Sequence, residues 1–175
     1  MSETLKKEAL PYPVDEKMLG RMRSRALFAG AMGIKLPLAF FAGLRIEQID
    51  PYHCEVSLPF GWRTQNPFRS IYFAAQCMAA ELSTGALAML AIESAPNSVS
   101  MLVTGMSAEF GKKATERSIF TCENGLDVFK AIHHTIETGE GVRQKMVTTG
   151  RMRNGTEISQ FTFEWSFKKR ASKEV

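Results

Sequence analysis

No Cys-x-x-Cys pair, no run of basic residues long enough to track a nucleic-acid backbone, no internal repeat and no low-complexity tract occurs in this sequence of 175 residues. Its three cysteines, Cys54, Cys77 and Cys122, are odd in number and far apart. That argues against a disulfide framework or a zinc knuckle and leaves them as small buried hydrophobes in a reducing compartment. Histidine is just as scarce. His53 stands alone, and His133 and His134 are neighbours about 100° apart on a helix, so no metal site is expected. The net charge of +4 comes from basic residues interleaved with acids, so nothing tracks a nucleic-acid backbone, although a mildly basic surface favours a small anionic ligand such as one carrying phosphates. Residues 1–13 hold Lys6, Lys7 and Glu8 but no apolar core of a signal peptide, which makes the cytoplasm the expected location. With no linker to divide it, and with 45% hydrophobic and 23% charged residues, the chain is expected to form one soluble domain over 1–175.

What the sequence does have is one long apolar run. Ser70 to Glu93, 24 residues, reads as an almost wholly apolar helix with a single carboxylate, Glu81, at its middle. A charge there costs free energy unless it is paired or protonated, which marks Glu81 as a candidate for chemistry. The alternative is that it only caps or salt-bridges an adjoining strand. Sharing its face are Ala74, Cys77, Met78, Thr84, Gly85 and Ala88, nearly all of them small, so a narrow ligand could lie beside the carboxylate. A membrane-spanning reading fails on the same stretch: Gln76, Glu81, Ser83 and Thr84 lie within it, and a lone Glu at a bilayer centre costs at least ~2.5 kcal/mol. No aromatic or basic belt flanks the run.

Around this helix the patterning alternates between helical and extended. From Asp15, Met18, Leu19, Met22, Ala26 and Leu27 share one face, which predicts an amphipathic helix capped by Asp15 and ending near Gly33. With the apolar piece Leu36 to Phe41 it makes an N-terminal helical extension over about 14–41. Strands are predicted over Leu44 to Ile49 and, half-buried, from Tyr52 to Leu58. After the long helix, Ser98 to Phe110 is uncharged until Glu109 and reads as a central strand, followed by a strand near Arg117 to Glu123 and an Asn124-Gly125 turn. Asp127 to Thr138 is a short helix capped by Asp127, and two strands, Val142 to Met152 and Glu157 to Lys168, join through the hairpin signal Asn154-Gly155. In the last strand Phe161, Phe163, Trp165 and Phe167 form an aromatic stripe expected to pack on the long helix.

The segment Asn66 to Glu81, Asn-Pro-Phe-Arg-Ser-Ile-Tyr-Phe-Ala-Ala-Gln-Cys-Met-Ala-Ala-Glu, carries an Asn at the approach to a long apolar helix, a small-residue helix start and an acid 15 positions after that Asn. In this it resembles the hot-dog superfamily of acyl-CoA thioesterases, and the element order agrees over nearly the whole chain. The family pattern has His-Gly-Gly at the helix start; Tyr72-Phe73-Ala74 stands there instead, so the chain is most similar to a thioesterase-like branch in which Tyr-Phe replaces His-Gly. The resemblance implies an α+β fold, an antiparallel sheet of about six strands wrapped around a long central helix. It also implies a homodimer or dimer of dimers with sites at the subunit interface.

The activity so implied is hydrolysis of an acyl-CoA or acyl-carrier thioester, with neither cofactor nor metal. The backbone N–H of Phe73, beside Tyr72 at the helix start, would hold the developing oxyanion, because helix N-termini present free N–H groups and partial positive charge. Glu81 would activate a water or attack directly, Asn66 would orient that water or the acyl group, and Thr84 would bond either the carboxylate or its own helix backbone. Lys112 and Lys113, in the turn after the long strand, would meet the phosphates of the carrier, or are simply solvated. A noncatalytic acyl- or lipid-binding protein, having lost turnover with the His, is the alternative. A hydratase is less favoured, since that chemistry pairs a His with the acid and none stands near Glu81.

Overall fold

The computed structural model describes residues 8–171, so Lys6 and Lys7 lie outside the described residues. Three helices come first, α1 (Glu16–Arg23), α2 (Arg25–Lys35) and α3 (Pro37–Ala42). Then follow β1 (Arg45–Ile49), β2 (Cys54–Leu58), α4 (Phe73–Ser94), β3 (Val99–Phe110), β4 (Ser118–Cys122), α5 (Gly125–Thr138), β5 (Val142–Met152) and β6 (Glu157–Lys169). The strands form one antiparallel sheet in the order β1-β2-β4-β5-β6-β3, packed around α4. This is the hot-dog architecture.

α4 is the core because almost every face of it is apolar. Twelve of its residues are buried, among them Ala79, Ala80, Leu87, Ala88, Leu90 and Ala91, and the alanines let the sheet approach closely. Its buried polar groups are all satisfied. Ser83 hydrogen-bonds to Thr148 of β5 at 2.8 Å and donates to Ala80 O, while Gln76 donates to Ile71 O at 3.2 Å and accepts from Ser159 of β6 at 2.8 Å. By length and composition α4 could cross a membrane, yet 67% of its apolar window is covered by protein, which makes it a core helix. The aromatic stripe of β6 packs inward as expected, with Phe161, Phe163, Trp165 and Phe167 all buried.

Four elements differ from the sequence expectation. The N-terminal helix is broken at Ser24, whose extended backbone (ψ 110°) ends α1 and whose hydroxyl accepts from Leu27 N–H to start α2. Pro37 at the first turn and Gly43 in the left-handed region (φ 81°) then set off α3. α4 begins at Phe73, not Ser70, because Ile71 is held in an isolated bridge to Gln65. α5 starts at Gly125, so Asp127 is not its cap; Asn124 donates to Asp127 and accepts Val147 N–H instead.

The fourth difference matters most. β3 is the edge of the sheet, not a central strand, and its inner-face residues Val103, Met106 and Phe110 are exposed. Cys54 and Cys122 face each other across β2 and β4 and are fully buried, and burial pushes the Cys122 thiol up to about 12. Cys77 is only half-buried.

The two sides of α4 can be told apart by truncation. Leu90 is fully buried, so Leu90→Ala is expected to cost about 2–5 kcal/mol of unfolding free energy, whereas the neighbouring Met89, 41% exposed, should lose no more than about 0.5 kcal/mol as Met89→Ala. Urea unfolding of both variants measures the contrast; equal losses would mean the helix is not seated as described.

Candidate functional site

The approach to α4 is pinned from several directions before the helix begins. Asn66 Oδ1 accepts from the N–H groups of Phe68 (2.9 Å) and Ser70 (3.2 Å), and its Nδ2 donates to Ser70 Oγ at 3.1 Å. This closes a tight loop in which Arg69 takes φ 58°, the left-handed region that a non-glycine residue enters only when its surroundings hold it there. Ile71 N–H donates to Ala114 O and Tyr72 N–H to Thr64 O, both at 2.7 Å. The turn carrying Lys112 and Lys113 is therefore tied, through Ala114, to the start of α4, with both lysines exposed.

From Phe73 onward the helix leaves two donors open. The N–H groups of Ala75 and Gln76 bond Tyr72 O at 3.0 and 3.2 Å, while those of Phe73 and Ala74 have no partner among the described residues. Tyr72, the N-cap, supplies no side-chain cap; its ring lies edge-on to Phe73 at 4.9 Å, and Phe73 reaches Phe110 of β3 at 6.4 Å. An aromatic rim thus surrounds open N–H groups at the positive end of a 22-residue helix.

Glu81 lies two turns further, about 12 Å along the axis from Phe73, and within about 20° of the line through Ala74. Its carboxylate is directed toward Gly85, one turn further along the helix from those open donors. Its Oε1 is 3.1 Å from the point where a Cβ on Gly85 would stand, with the Trp165 ring 3.5 Å from that same point. Glycine at 85 is what leaves this space. Among the described residues the carboxylate has neither a hydrogen bond nor an ion pair, so it does not cap or salt-bridge a neighbouring strand. Burial pushes its pKa up.

The other residues of interest sort themselves by contact. Thr84 is fully buried and turned away from the carboxylate: its hydroxyl donates to Glu81 O at 2.9 Å and accepts from the Trp165 indole at 3.1 Å. Cys77, one turn before Glu81, has its Sγ 3.4 Å from Sδ of Met106 on the inner face of β3, and its pKa is raised by burial and then by the Glu81 charge. Sequence reasoning treated Cys77 as core and overlooked Gln76 as the tie between helix start and β6; a lone amide in an apolar run was the available signal. Among the described residues no group of three His, Cys, Asp or Glu side chains is arranged to hold a metal.

The raised carboxyl makes Glu81 a stability cost at neutral pH. Since its native pKa lies above the unfolded value, the fold is favoured by the protonated form: that stability is fully present below about pH 4.3 and is lost as pH rises through the native pKa. Glu81→Gln is expected to melt at a higher temperature than wild type at pH 7.5, the gap closing as pH falls toward 4. Thermal unfolding over that range checks it, and a pH-independent gap would rule it out.

Comparison with known proteins supports the same architecture. A Pseudomonas aeruginosa protein of unknown function, described as "Probable Thioesterase", superposes with a TM-score of 0.69 at 16% identity over 86% of this chain and 100% of its own. A Chlorobaculum tepidum protein of unknown function gives 0.69 at 14% identity, covering 84% and 98%. A thioesterase of Haemophilus influenzae gives 0.64 at 10% identity, covering 87% and 95%. No curated protein matches the sequence. At these identities the likeness is one of fold, and it is the hot-dog fold of thioesterase-like proteins. The family model described as a domain of unknown function, DUF4442, matches residues 24–166, from the start of α2 into β6, and the chain belongs to that family.

Proposed function

We propose that this protein is an acyl thioesterase, hydrolysing the thioester of coenzyme A or of an acyl carrier. The observation that carries the reading is the Glu81 carboxylate, half-buried and without a hydrogen bond or ion pair among the described residues, on the same helix whose first N–H groups are open among those residues. The solved structures of this fold that are themselves described as thioesterases support it. The thioester carbonyl oxygen sits at the N–H of Phe73, where developing negative charge is stabilised. With the site at the interface of two copies, Glu81 of one copy takes a proton from a water that adds to the carbonyl carbon held at Phe73 of the other; the C–S bond then breaks and the proton passes to the departing sulfur. A raised pKa makes Glu81 a stronger base than a solvated carboxylate.

The remaining residues act around this centre. Asn66 holds the loop that sets Tyr72 and Phe73, Thr84 fixes the helix turn at Glu81 through Trp165, and Lys112 and Lys113 lie on a turn tied to the same helix end, suited to carrier phosphates. We assign the protein to the cytoplasm, with α1–α3 as an extension of one hot-dog unit. A homodimer, or a dimer of dimers, formed through the β3 edge would pair its open backbone groups and cover Val103, Met106 and Phe110, completing the aromatic rim around Phe73. A noncatalytic acyl-binding role is the second reading, favoured by one feature: the exposed rings of Tyr72 and Phe73 crowd the helix start.

Release of free thiol from short, medium and aromatic acyl-CoA esters separates the two readings. Turnover by wild type is expected to fall about 10²–10⁴-fold in a folded Glu81→Gln variant; acyl-CoA binding without turnover in either protein would favour the noncatalytic reading. For the assembly, sedimentation should give twice the 19.5 kDa chain mass for wild type, and Leu102→Lys, a charge on the exposed β3 edge, should shift it toward the monomer. A dimer indifferent to that charge would place the interface elsewhere.

A further inference from the structure

We propose that this protein carries a second ligand site, remote from α4, that binds a long-chain fatty carboxylate between α2, α3 and β1. A cavity of about 460 Å³ lies there, walled mainly by Met22, Phe28, Met32, Phe40, Leu44 and Ile46, and none of its lining residues belongs to α4 or β3. That volume falls in the roughly 300–1,000 Å³ range of small-ligand pockets, and its two methionines suit a flexible chain.

The margin of the cavity is basic. Arg25, Arg45 and Arg63 line it, and a smaller cavity of about 190 Å³ shares Gly43, Arg45 and Arg63 while adding Ser57 and Arg117. Among the described residues no Asp or Glu lines either cavity. The nearby carboxylate, Glu47, is already shared by Arg25 and Arg117 and also accepts from Ser57. The Arg45 and Arg63 side chains have no hydrogen bond or ion pair with any described residue; the Arg45 charge acts on Glu47 from a distance, and Arg63 lies over the Phe41 ring at 5.9 Å. A glycine is needed at 43 both for its φ of 81° and because a Cβ there would stand 3.3 Å from Arg63 Nη2 and 3.2 Å from Pro59 Cγ. Two guanidinium forks without a direct partner among the described residues, at the mouth of an apolar groove, match one carboxylate on one hydrocarbon tail.

The proposal is tested on the full-length protein by titration calorimetry with palmitate below its micellar concentration. Stoichiometric binding is expected, with hexadecanol, the same tail without charge, binding about tenfold or more weakly. Arg45→Ala combined with Arg63→Ala should remove that preference, and Ala29→Phe, which fills the cavity from α2, should abolish binding of both ligands; circular dichroism confirms that each variant is folded. Palmitate binding that survives all three substitutions, equal affinity for palmitate and hexadecanol, or attachment to anionic phosphatidylglycerol vesicles with no binding of monomeric palmitate would each overturn it.

Discussion

The burial of α4 on nearly all sides is the constraint from which the rest of the molecule follows. An isolated helix of this composition would expose apolar surface around its whole circumference, so it exists only as the axis of something that wraps it. The sheet does so by curving from β1 to β3, and its close approach depends on the alanines that let the strands sit near the helix backbone. Polar side chains inside this wrap are tolerated because each is answered: Ser83 by Thr148, Gln76 by Ser159, Thr84 by Trp165. Glu81 is the exception among them. Its carboxylate lies on the face of the helix that the sheet leaves partly open, running from Phe73 through Cys77 and Gly85 to Met89, next to the unpaired edge of β3.

That opening and the fixed approach to the helix are two sides of one arrangement. The loop closed by Asn66, the bridge at Ile71 and the bond to Ala114 leave the first turn of α4 little freedom to move. Rigid support of this kind lets unpaired N–H groups persist without the helix fraying to satisfy them. The aromatic rings of Tyr72, Phe73 and Phe110, each about half exposed, rim that end edge to face.

Much of this architecture is legible in the chain because its two periodicities are clean. Cys54, Val56 and Leu58 alternate inward as they do in the sequence, and the stripe from Phe161 to Phe167 can face only the core. What escapes is whatever depends on a distant partner. Periodicity says that Val103, Met106 and Phe110 want cover, not what supplies it, so an edge strand reads like a central one. The apolar face of α1 continues into α2 in sequence, and only the hydroxyl of Ser24 divides them. Thr84 finds its donor 81 residues away, a contact no local pattern reports. At the candidate site Glu81 was legible as an anomaly of charge in an apolar run, whereas the unpaired N–H groups and the space above Gly85 emerge only from the fold.

The strand order also governs how the chain must assemble. β3, directly after α4, finds its partner in β6, Val99 opposite Lys169, and β5 and β6 come after every other described element in the chain. During synthesis from the N-terminus a 22-residue apolar helix therefore waits, half-wrapped, until the C-terminal hairpin arrives to close the sheet. Closure over so long a loop is slow, because the entropy of bringing the ends together is lost before the contacts are gained. A chain truncated before β5 would retain the helix without its cover, a species fitted for aggregation or for a chaperone and not for folding.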